Sequence, residues 1–489
     1  MAFLIGGANS ASAAGAFLVD NSCVFIEQDS PKLTRTLGTP TDRDKWTWSA
    51  WVKIIRQREQ GLFFGYIDAN NYAHVEMSST GQFKFYNHLA GSANAAMRTV
   101  GLLRDSAAWY HLVLIWDSGN ATEANRLKMY INGVHQIGDL ITSVTYPSQD
   151  DNSAINGDNL HEVGVKLGGY PLDGYMAEVC FVDGQALAPT EFGEYDEDSP
   201  TIWKPKNVSG LTFGDNGAYF DFEDSANLGN DAQGGTDWSE SNISAVHQCQ
   251  DSPTNNFCIL SQVQPYGSVV QAYHDGATKF VTSAGNAWRT VAGSIAVTTG
   301  KYYYEVEINT ASANNSYSIG WLSTNNLPAS VWTSYLGDVD GPALGLGKGG
   351  TLDYSTHAAN SQTDTGWTTY TNGADIVMCA IDLDNNFAYW GKNGTWMKSG
   401  DPESGATGTG GFAFENTAGY DWFPAFGSTE GASGGTPHMS ANFGNGSFAN
   451  VSGAPSAVAS AGANASGFGV FEFAVPAGYG AICTKQMNE

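Results

Sequence analysis

Positively charged residues are scarce in this chain of 489 residues. It has 22 Lys and Arg against 49 Asp and Glu, a formal net charge of −27, and only nine of the basic residues follow position 200. Nucleic-acid binding needs a basic face that neutralises phosphates, so that function is disfavoured. Charged residues make up only 15% of the chain and aromatic residues 12%, which argues against both a disordered chain and a coiled-coil rod.

Long apolar runs and metal-type cysteine spacings are also missing. No stretch of 18 consecutive apolar residues occurs, so no membrane insertion is expected. The N-terminus lacks the basic start and the long apolar centre of a signal peptide, and we interpret residues 1–20 as a short arm. The six cysteines form no Cys-x-x-Cys pair and no Cys/His cluster, which predicts buried thiols in a protein made in a reducing cytoplasm.

The chain does contain many short, aromatic, alternating segments separated by turn residues. Residues 46–53, 109–116, 127–132 and 176–182 have strand patterns, and Asn132-Gly133 supplies the positive φ pair of a tight hairpin turn. No helical stripe of useful length interrupts them. About ten such strands over roughly 170 residues predict two packed antiparallel sheets.

The rest of the chain changes composition three times. Residues 201–265 are dense in Asn, Asp and Gly, which is typical of turns linking short extended pieces, and we predict a connector there. Residues 266–450 return to strand patterns. Residues 451–489 begin as a Gly-, Ala- and Ser-rich linker and end in a strand, a turn and a strand. The predicted fold class is all-β: two β-sandwich (jelly-roll) domains joined by a turn-rich connector, with a short C-terminal β segment.

The first predicted domain, residues 21–200, resembles the laminin-G-like, concanavalin-type jelly roll. The resemblance rests on Trp48-x-x-Trp51-Val52, on residues 109–113, on residues 127–134, and on residues 172–179, which are similar to the last strand of that family. The order and spacing of these segments match those of the family over about 170 residues. The resemblance implies a sandwich with binding loops on one rim or a binding site on a concave face.

The second predicted domain, residues 266–450, resembles a SPRY-type β-sandwich. The matching segments are residues 300–308, 319–321, 382–394 and 423–426. This resemblance implies binding of proteins or short peptides through loops, without catalysis. The connector and the C-terminal segment are similar to segments found in bacteriophage tail and virion proteins, which implies a phage particle as the setting.

Catalytic motifs are present only in fragments. Ser433 lies in a Gly-x-Ser-x-Gly sequence without the strand and helix that a nucleophile elbow needs. Glu305 with Glu307, and Asp382 with Asp384, each place two carboxylates on one face of a strand. Neither pair has the third carboxylate of the Glu-x-Asp-x-Glu strand used by retaining glycanases of this shape. We therefore expect that this protein is not an enzyme.

One acidic loop of the first domain is a candidate calcium site. Laminin-G-like modules sometimes hold calcium at the rim of the sandwich, and Asp150, Asp151 and Asp158 lie in one long loop. Calcium needs six or more oxygen ligands, and an acidic loop is usually only solvated. Calcium therefore stays open as a cofactor, and no other cofactor is expected.

Aromatic residues in loop-like stretches of the second domain are the candidate ligand-binding residues. Sugars stack on Trp and Tyr rings, and protein interfaces prefer the same side chains. The alternative for each ring is a place in the core. The candidates are Trp332, Tyr335, Tyr354 and Trp396, with Trp367 and Tyr370 in the same stretches.

These observations together predict a non-enzymatic phage virion protein, a tail fibre or receptor-binding adhesin that recognises a bacterial surface glycan or protein. The expected partners are that surface receptor and other virion proteins, contacted through the N-terminal arm. Many weak identical sites gain strength by avidity, so we expect a homo-oligomer, with a trimer implied by the resemblance. Two alternatives are a structural virion component, such as a capsid decoration or head fibre protein, and a glycan depolymerase.

Overall fold

The structure is a computed structural model. It describes residues 17–261, 270–274, 276–282, 287–309, 316–323, 332–338, 341–356, 362–370, 373, 375–417, 420–429, 438–448, 456–457, 462–463 and 468–488. These residues divide into two compact units, of which the first ends at Asn256 and the second begins at Phe257. We call them the first and the second sandwich. Throughout the described ranges, helices are limited to short 3-10 segments, and none is long and apolar enough to cross a membrane.

The first sandwich contains eighteen strands within its described residues. They are β1 (Ser22–Phe25), β2 (Lys32–Thr36), β3 (Lys45–Ile54), β4 (Gln60–Asp68), β5 (Asn71–Met77), β6 (Gln82–Leu89), β7 (Ser92–Leu102), β8 (Tyr110–Asp117), β9 (Leu127–Ile131), β10 (Val134–His135), β11 (Ile141–Thr145), β12 (Leu160–Val163), β13 (Gly174–Asp183), β14 (Gly193–Tyr195), β15 (Trp203–Pro205), β16 (Ala218–Phe220), β17 (Ser239–Ser241) and β18 (Gln248–Cys249). Its 3-10 segments are Glu27–Asp29, Glu123–Asn125, Gly138–Leu140, Pro189–Glu191 and Ala245–His247.

Two eight-stranded antiparallel sheets form this unit. Sheet 1 has the order β10-β9-β8-β3-β13-β1-β18, with β16 also pairing with β13, and sheet 2 has the order β11-β7-β6-β5-β4-β12-β2-β17. Alternate residues of a strand point to opposite faces, so each sheet contributes one set of side chains to the core. Trp46 stacks on Trp116 with ring centroids 6.1 Å apart, and Phe85 from sheet 2 meets Trp46 edge-on at 5.9 Å. Burying each such side chain contributes on the order of 2 kcal/mol.

Residues 201–256, expected to be part of a separate connector, contribute to the first sandwich. Strand β16 pairs with β13, β17 with β2 and β18 with β1. Trp238 is only 1% exposed and meets the ring of Phe220 edge-on at 5.5 Å. The Asn-, Asp- and Gly-rich turns separate short pieces whose apolar side chains have no core of their own, so these pieces pack on the sheets already present.

The second sandwich is also all β within its described residues. Its strands are β19 (Val270–His274), β20 (Lys279–Thr282), β21 (Arg289–Ala292), β22 (Lys301–Ile308), β23 (Ser316–Ser323), β24 (Ala343–Gly347), β25 (Leu352–Ser355), β26 (Gln362–Asp364), β27 (Ile376–Asp382), β28 (Phe387–Lys392), β29 (Thr395–Trp396), β30 (Phe412–Ala413), β31 (Trp422–Thr429), β32 (His438–Asn442), β33 (Ser447–Phe448), β34 (Ser456–Ala457), β35 (Gly462–Ala463) and β36 (Val470–Phe471). Its 3-10 segments include Met397–Ser399, Pro402–Thr407 and Gln486–Asn488.

Two sheets again enclose a core. Sheet 3 has the order β19-β20-β32-β22-β27-β28-β29, with β30 on β28, and sheet 4 has the order β21-β31-β23-β24-β25-β26. The ring of Tyr304 from sheet 3 meets Trp321 from sheet 4 edge-on at 5.1 Å. The expectation of an all-β chain built from two antiparallel sandwiches is therefore confirmed. All six cysteines of the chain are buried free thiols.

The C-terminal segment, residues 468–488, packs on the outer face of sheet 3. Gly480 bridges to Tyr302 and Cys483 to Phe257, and the side chains of this segment bury an apolar patch of sheet 3. Glu305 is fully buried beneath it and accepts the backbone N–H groups of Glu472 and Phe473, each at 2.9 Å. The segment predicted as a terminal strand, turn and strand is thus part of the second sandwich.

Candidate ligand-binding face

An aromatic surface lies on the outer face of sheet 2 in the first sandwich. Phe63 and Val75 are opposite each other on β4 and β5 and point into the core. The next residues along each strand must point outward, and these are Phe64 and His74, which are also opposite each other. Tyr86 of β6 lies opposite His74 and continues the row.

A second outward row runs beside the first. Tyr66 of β4, Tyr72 of β5 and His88 of β6 are cross-strand partners in register. The ring of Tyr72 stacks on His88 with centroids 4.4 Å apart and reaches Phe64 at 6.4 Å. We call these six rings the aromatic face; they are Phe64, Tyr66, Tyr72, His74, Tyr86 and His88.

The rings of the aromatic face differ in exposure. Phe64 and His74 are 2% and 5% exposed and form its floor, whereas Tyr66 is 36% exposed and the other three are half-buried. Because cross-strand neighbours hold the exposed rings on regular strands, ordering them on a ligand costs little further conformational entropy.

A cleft of about 500 Å³ opens beside the rings. Phe64, Tyr66 and Tyr72 line one side, and Leu160 and Leu167 lie among the residues that complete it. Its volume falls within the range of small-molecule sites, on the order of 300–1,000 Å³.

A polar group is set into the wall of this cleft. Glu162 of β12 lies opposite Phe64 and is paired with Lys32 at 2.5 Å. The cleft therefore combines apolar ring faces with a carboxylate acceptor, whose ion-pair partner is Lys32.

Paired charges border the aromatic face at its other end. Glu76 is fully buried and forms ion pairs with Lys84 and Lys166, and His74 Nε2 lies 3.5 Å from its carboxylate. Lys84 also sits over the ring of Tyr86 at 4.9 Å. Burial, followed by the positive charge of Lys166, holds the pKa of His74 well below its usual value, so this imidazole is neutral.

A buried Ser–His contact in sheet 1 imitates a nucleophile and its base. Ser49 Oγ lies 2.8 Å from His111 Nε2, and Trp203 Nε1–H donates to His111 Nδ1 at 2.9 Å. Burial lowers the pKa of His111 to about 3, so the ring is neutral, and its single proton must sit on Nε2 because Nδ1 accepts. A base has to accept the serine proton at Nε2, so this pair cannot activate Ser49.

The carboxylate pairs singled out in the sequence have structural partners. Glu305 accepts backbone N–H groups of the C-terminal segment, as described above. Asp382 is fully buried, pairs with Lys301 at 3.0 Å and accepts the amide of Asn385 at 2.9 Å, which fastens the turn after β27. Ser433 lies outside the described residues.

The acidic loop does not gather its carboxylates into a cluster. Asp150 is exposed at a left-handed φ of 63°, and Asp158 is also exposed. Asp151 accepts from the amide of Ser148 at 2.9 Å and from Asn94 Nδ2 at 3.3 Å, so it closes its own loop. No group of three His, Cys, Asp or Glu side chains suited to a metal occurs in the parts of the chain that the structure describes.

The predicted aromatic ligands separate into core residues and cavity walls. Trp332, Trp367 and Tyr370 are at most 5% exposed and belong to the core of the second sandwich. Tyr335, Tyr354 and Trp396 are half-buried, and each lines a different cavity. The structure therefore does not bring Trp332, Tyr335, Tyr354 and Trp396 together on one surface.

Sequence reasoning missed the aromatic face altogether. The signal was present in β5 and β6, where Tyr72 and His74, and likewise Tyr86 and His88, stand at alternate positions. An aromatic residue at every second position on adjacent strands predicts a ring-bearing face. The sequence does not say whether that face points outward.

Comparison with known proteins finds a family match within the first sandwich. Residues 29–191 match the family model Laminin_G_3, described as the concanavalin A-like lectin/glucanases superfamily. No curated protein matches the chain in sequence.

Solved structures similar to this chain include three of related architecture. They are the native heptameric SAP-like pentraxin from Limulus polyphemus (16% identity, 36% of this chain and 80% of that chain, TM-score 0.27), the SPRY domain of human HERC1 (18%, 38% and 92%, 0.24) and domains LG4-5 of the mouse laminin alpha1 chain (9%, 92% and 88%, 0.29). The family match and the two packed antiparallel sheets make the first sandwich a laminin G-like, concanavalin-type jelly roll. The solved structures similar to the chain include a SPRY domain.

Proposed function

We propose that this chain is a non-enzymatic glycan-binding protein and that the aromatic face of the first sandwich is its binding surface. The observation that carries the proposal is the row of partly exposed rings on adjacent strands, lying beside a cleft of about 500 Å³. Sugar rings present C–H groups on their faces and hydroxyls on their edges. Tyr66 and Tyr72 suit the faces, and the Glu162–Lys32 pair suits the hydroxyls.

The net charge of the chain favours binding through stacking and hydrogen bonds and disfavours binding through long-range attraction. The chain carries a formal charge of −27, so it repels an anionic surface at distances beyond direct contact. Neutral glycans, or neutral segments of charged ones, are the ligands that this surface suits best.

The biological setting we propose rests on the sequence resemblance. In that setting the protein is a phage tail fibre or receptor-binding adhesin on the virion surface, attached to other virion proteins through its N-terminal arm. Several copies, as in a trimer, would multiply weak glycan contacts.

A glycan array with a matched pair of variants tests the binding surface. Tyr72 stacks on His88 at 4.4 Å, and Tyr130, on sheet 1, stacks on His135 at 4.7 Å, so the two tyrosines differ mainly in the face that they occupy. We expect Tyr72→Ala to weaken binding of neutral glycans about tenfold, the effect of losing roughly 1.4 kcal/mol of contact. Tyr130→Ala should leave binding within about twofold, since it removes a stack away from the proposed surface.

Two results would overturn the proposal. One is a folded parent protein that binds no glycan on the array. The other is an equal loss of binding in the Tyr72→Ala and Tyr130→Ala variants.

A further inference from the structure

A second recess lies in the second sandwich, on the outer face of sheet 4. Its floor is made of small residues on neighbouring strands: Ser316 and Ser318 of β23 and Gly347 of β24. Ser318 lies directly opposite Gly347. Because these positions carry a hydroxymethyl group or only a hydrogen, the sheet surface is hollow there, and the recess has a volume of about 350 Å³.

Two aromatic rings form a corner above this floor. Trp288 and Tyr335 have ring centroids 5.4 Å apart and planes inclined by 58°, and both are half-buried. Neither ring belongs to the core of the second sandwich. Such a corner offers two apolar surfaces to a ligand seated on the floor.

Polar groups without partners face the same space. Ser318 is 1% exposed, and its Oγ has no hydrogen-bond partner among the described residues. Asp353 of β25 also lines the recess and accepts no hydrogen bond from any side chain or amide in the described ranges. Burial, and then the nearby charge of Asp338, raises the pKa of Asp353 to about 6.

The remaining wall adds a cation and a hydroxyl. Lys348 and Thr351 line the recess beside Asp353. Burial lowers the pKa of Lys348, so its side chain is partly withdrawn from water. The lining of the recess thus combines apolar ring faces with hydrogen-bond donors and acceptors. Its volume lies near the lower end of the range for ligand sites.

We propose that this recess is a second saccharide-binding site, which takes a single neutral sugar residue. The sugar's C–H face packs in the corner of Trp288 and Tyr335. Its hydroxyls donate to the Asp353 carboxylate and exchange hydrogen bonds with Ser318 and Thr351. This inference does not depend on the aromatic face, and the chain is bivalent for glycans only when both sites bind.

The shape of the recess favours a sugar over the two nearest alternatives. A peptide-binding surface is extended and buries a large area. This recess is compact, with a volume of about 350 Å³. An organic cation would suit the two rings and Asp353, but Lys348 in the same wall opposes a positive ligand. Tetramethylammonium therefore serves as the cation arm of the test.

Saturation-transfer NMR on the full chain, with a panel of neutral monosaccharides, tests the site. The Tyr72→Ala variant, whose first face is disabled, should still give signals from at least one sugar. Adding Trp288→Ala to Tyr72→Ala should remove those signals or weaken affinity at least tenfold. Adding Phe473→Ala, which removes a half-buried aromatic ring of the same unit in a different cavity, should leave them unchanged.

A third variant keeps every ring and polar group in place. In Gly347→Ala, the new methyl group lies 3.7 Å from Asp353 Oδ2 and 3.2 Å from the Thr351 carbonyl, inside the recess. The backbone at Gly347 is not left-handed, so alanine fits its conformation. We expect this variant to lose sugar binding with an unchanged melting temperature.

The outcomes separate the two sites. Signals that vanish with Trp288→Ala and Gly347→Ala but not with Tyr72→Ala support the recess even where the aromatic face binds nothing. Signals that vanish with Tyr72→Ala alone support the aromatic face and overturn the recess. Absence of any sugar signal from the folded parent, or a signal from tetramethylammonium only, also overturns it.

Discussion

Each sandwich has one outer sheet face covered by the chain itself and one that carries a candidate site. In the first sandwich, the outer face of sheet 1, which includes Tyr219 of β16, lies beneath residues such as Phe192 and Phe213. In the second, the C-terminal segment covers sheet 3 with Phe471 and Tyr479. The aromatic face and the recess lie on the opposite sheets, 2 and 4. In each sandwich, the sheet whose outer face stays uncovered is the one on which rings and hydroxyls can meet a ligand.

The covered faces also share a buried glutamate with a tyrosine partner. Glu178 accepts from Tyr219 Oη at 2.7 Å, and Glu305 accepts from Tyr303 Oη at 2.8 Å. Glu305 has further donors in two backbone amides and in Asn442. Burial raises both pKa values, to about 8 for Glu178 and to about 7 for Glu305. The extra hydrogen bonds of Glu305 favour its charged form and account for the smaller rise.

Removing the cover of the second sandwich should have the largest effect. Deleting residues 468–489 exposes Tyr303, Met378 and Tyr389 and discards the buried Phe471 and Tyr479. The loss is several side chains, each contributing about 1.5–3 kcal/mol, which is comparable to the whole stability of a domain. We expect the second sandwich to lose its cooperative melting transition and to bind a hydrophobic dye. Met487→Ala, at a position 42% exposed, is the control and should change neither measurement.

Substitution of single aromatic rings should show the same difference between covered and open sheet faces. Tyr479→Ala removes a ring that is 1% exposed in the segment covering sheet 3, and we expect a loss of about 3–4 kcal/mol in the free energy of unfolding. Tyr66→Ala removes a ring that is 36% exposed on the aromatic face and should cost less than about 1 kcal/mol. Denaturant unfolding measures both. Equal losses in the two variants would mean that the aromatic face is also part of the packed structure.

The buried glutamates give the first sandwich a defined pH dependence. A pKa raised from 4.5 to about 8 means that folded Glu178 holds its proton where the unfolded chain has released it. Stability is therefore present below pH 4.5 and is lost as the pH rises through about 8. The buried His111 and His161, with pKa values lowered to about 3 and about 4, act in the opposite direction, but only below about pH 6.5.

Between about pH 6.5 and 8, Glu178 titrates in the first sandwich and Glu305 completes its titration in the second, so a Glu178 variant is needed to separate the two. There we expect the free energy of unfolding to fall by up to about 2 kcal/mol, since one pKa unit corresponds to about 1.36 kcal/mol. Glu178→Gln keeps an oxygen acceptor for Tyr219 and should remove most of that slope. Urea titrations at several pH values measure it. A Glu178→Gln variant with the parent's slope would refute the assignment.

The smallest expected effect is that of salt on glycan binding. Stacking and short hydrogen bonds are little screened, so raising monovalent salt from about 0.05 to 0.5 M should change affinity by less than about twofold. With a chain of −27 charge, any change on an anionic surface should be an increase. A steep loss of binding with salt would contradict contact through rings on either open face.

The alternation of residues was enough to predict the strands and the fold class. The pattern at 46–53 became β3, Lys45–Ile54, and that at 127–132 became β9, Leu127–Ile131. Alternation says nothing about Trp332, which lies in a loop-like sequence yet is only 4% exposed, the core placement that the sequence left open. Local sequence says that a ring is near a turn, but its burial depends on residues that pack over it from elsewhere in the chain.

The sequence by itself determined that every strand has two unlike faces, because the side-chain period of two follows from covalent geometry. It also determined the acidic net charge and the aromatic content, which are properties of composition. Only the tertiary structure decided which face each sheet turns to the core and which face is covered. Those choices depend on contacts between residues far apart in the chain, such as Glu305 with Phe473 and Tyr219 with Glu178. Tyr72, Trp288 and Tyr335 became candidate ligand contacts because the folded chain leaves them partly open, which nothing in their own segments determines.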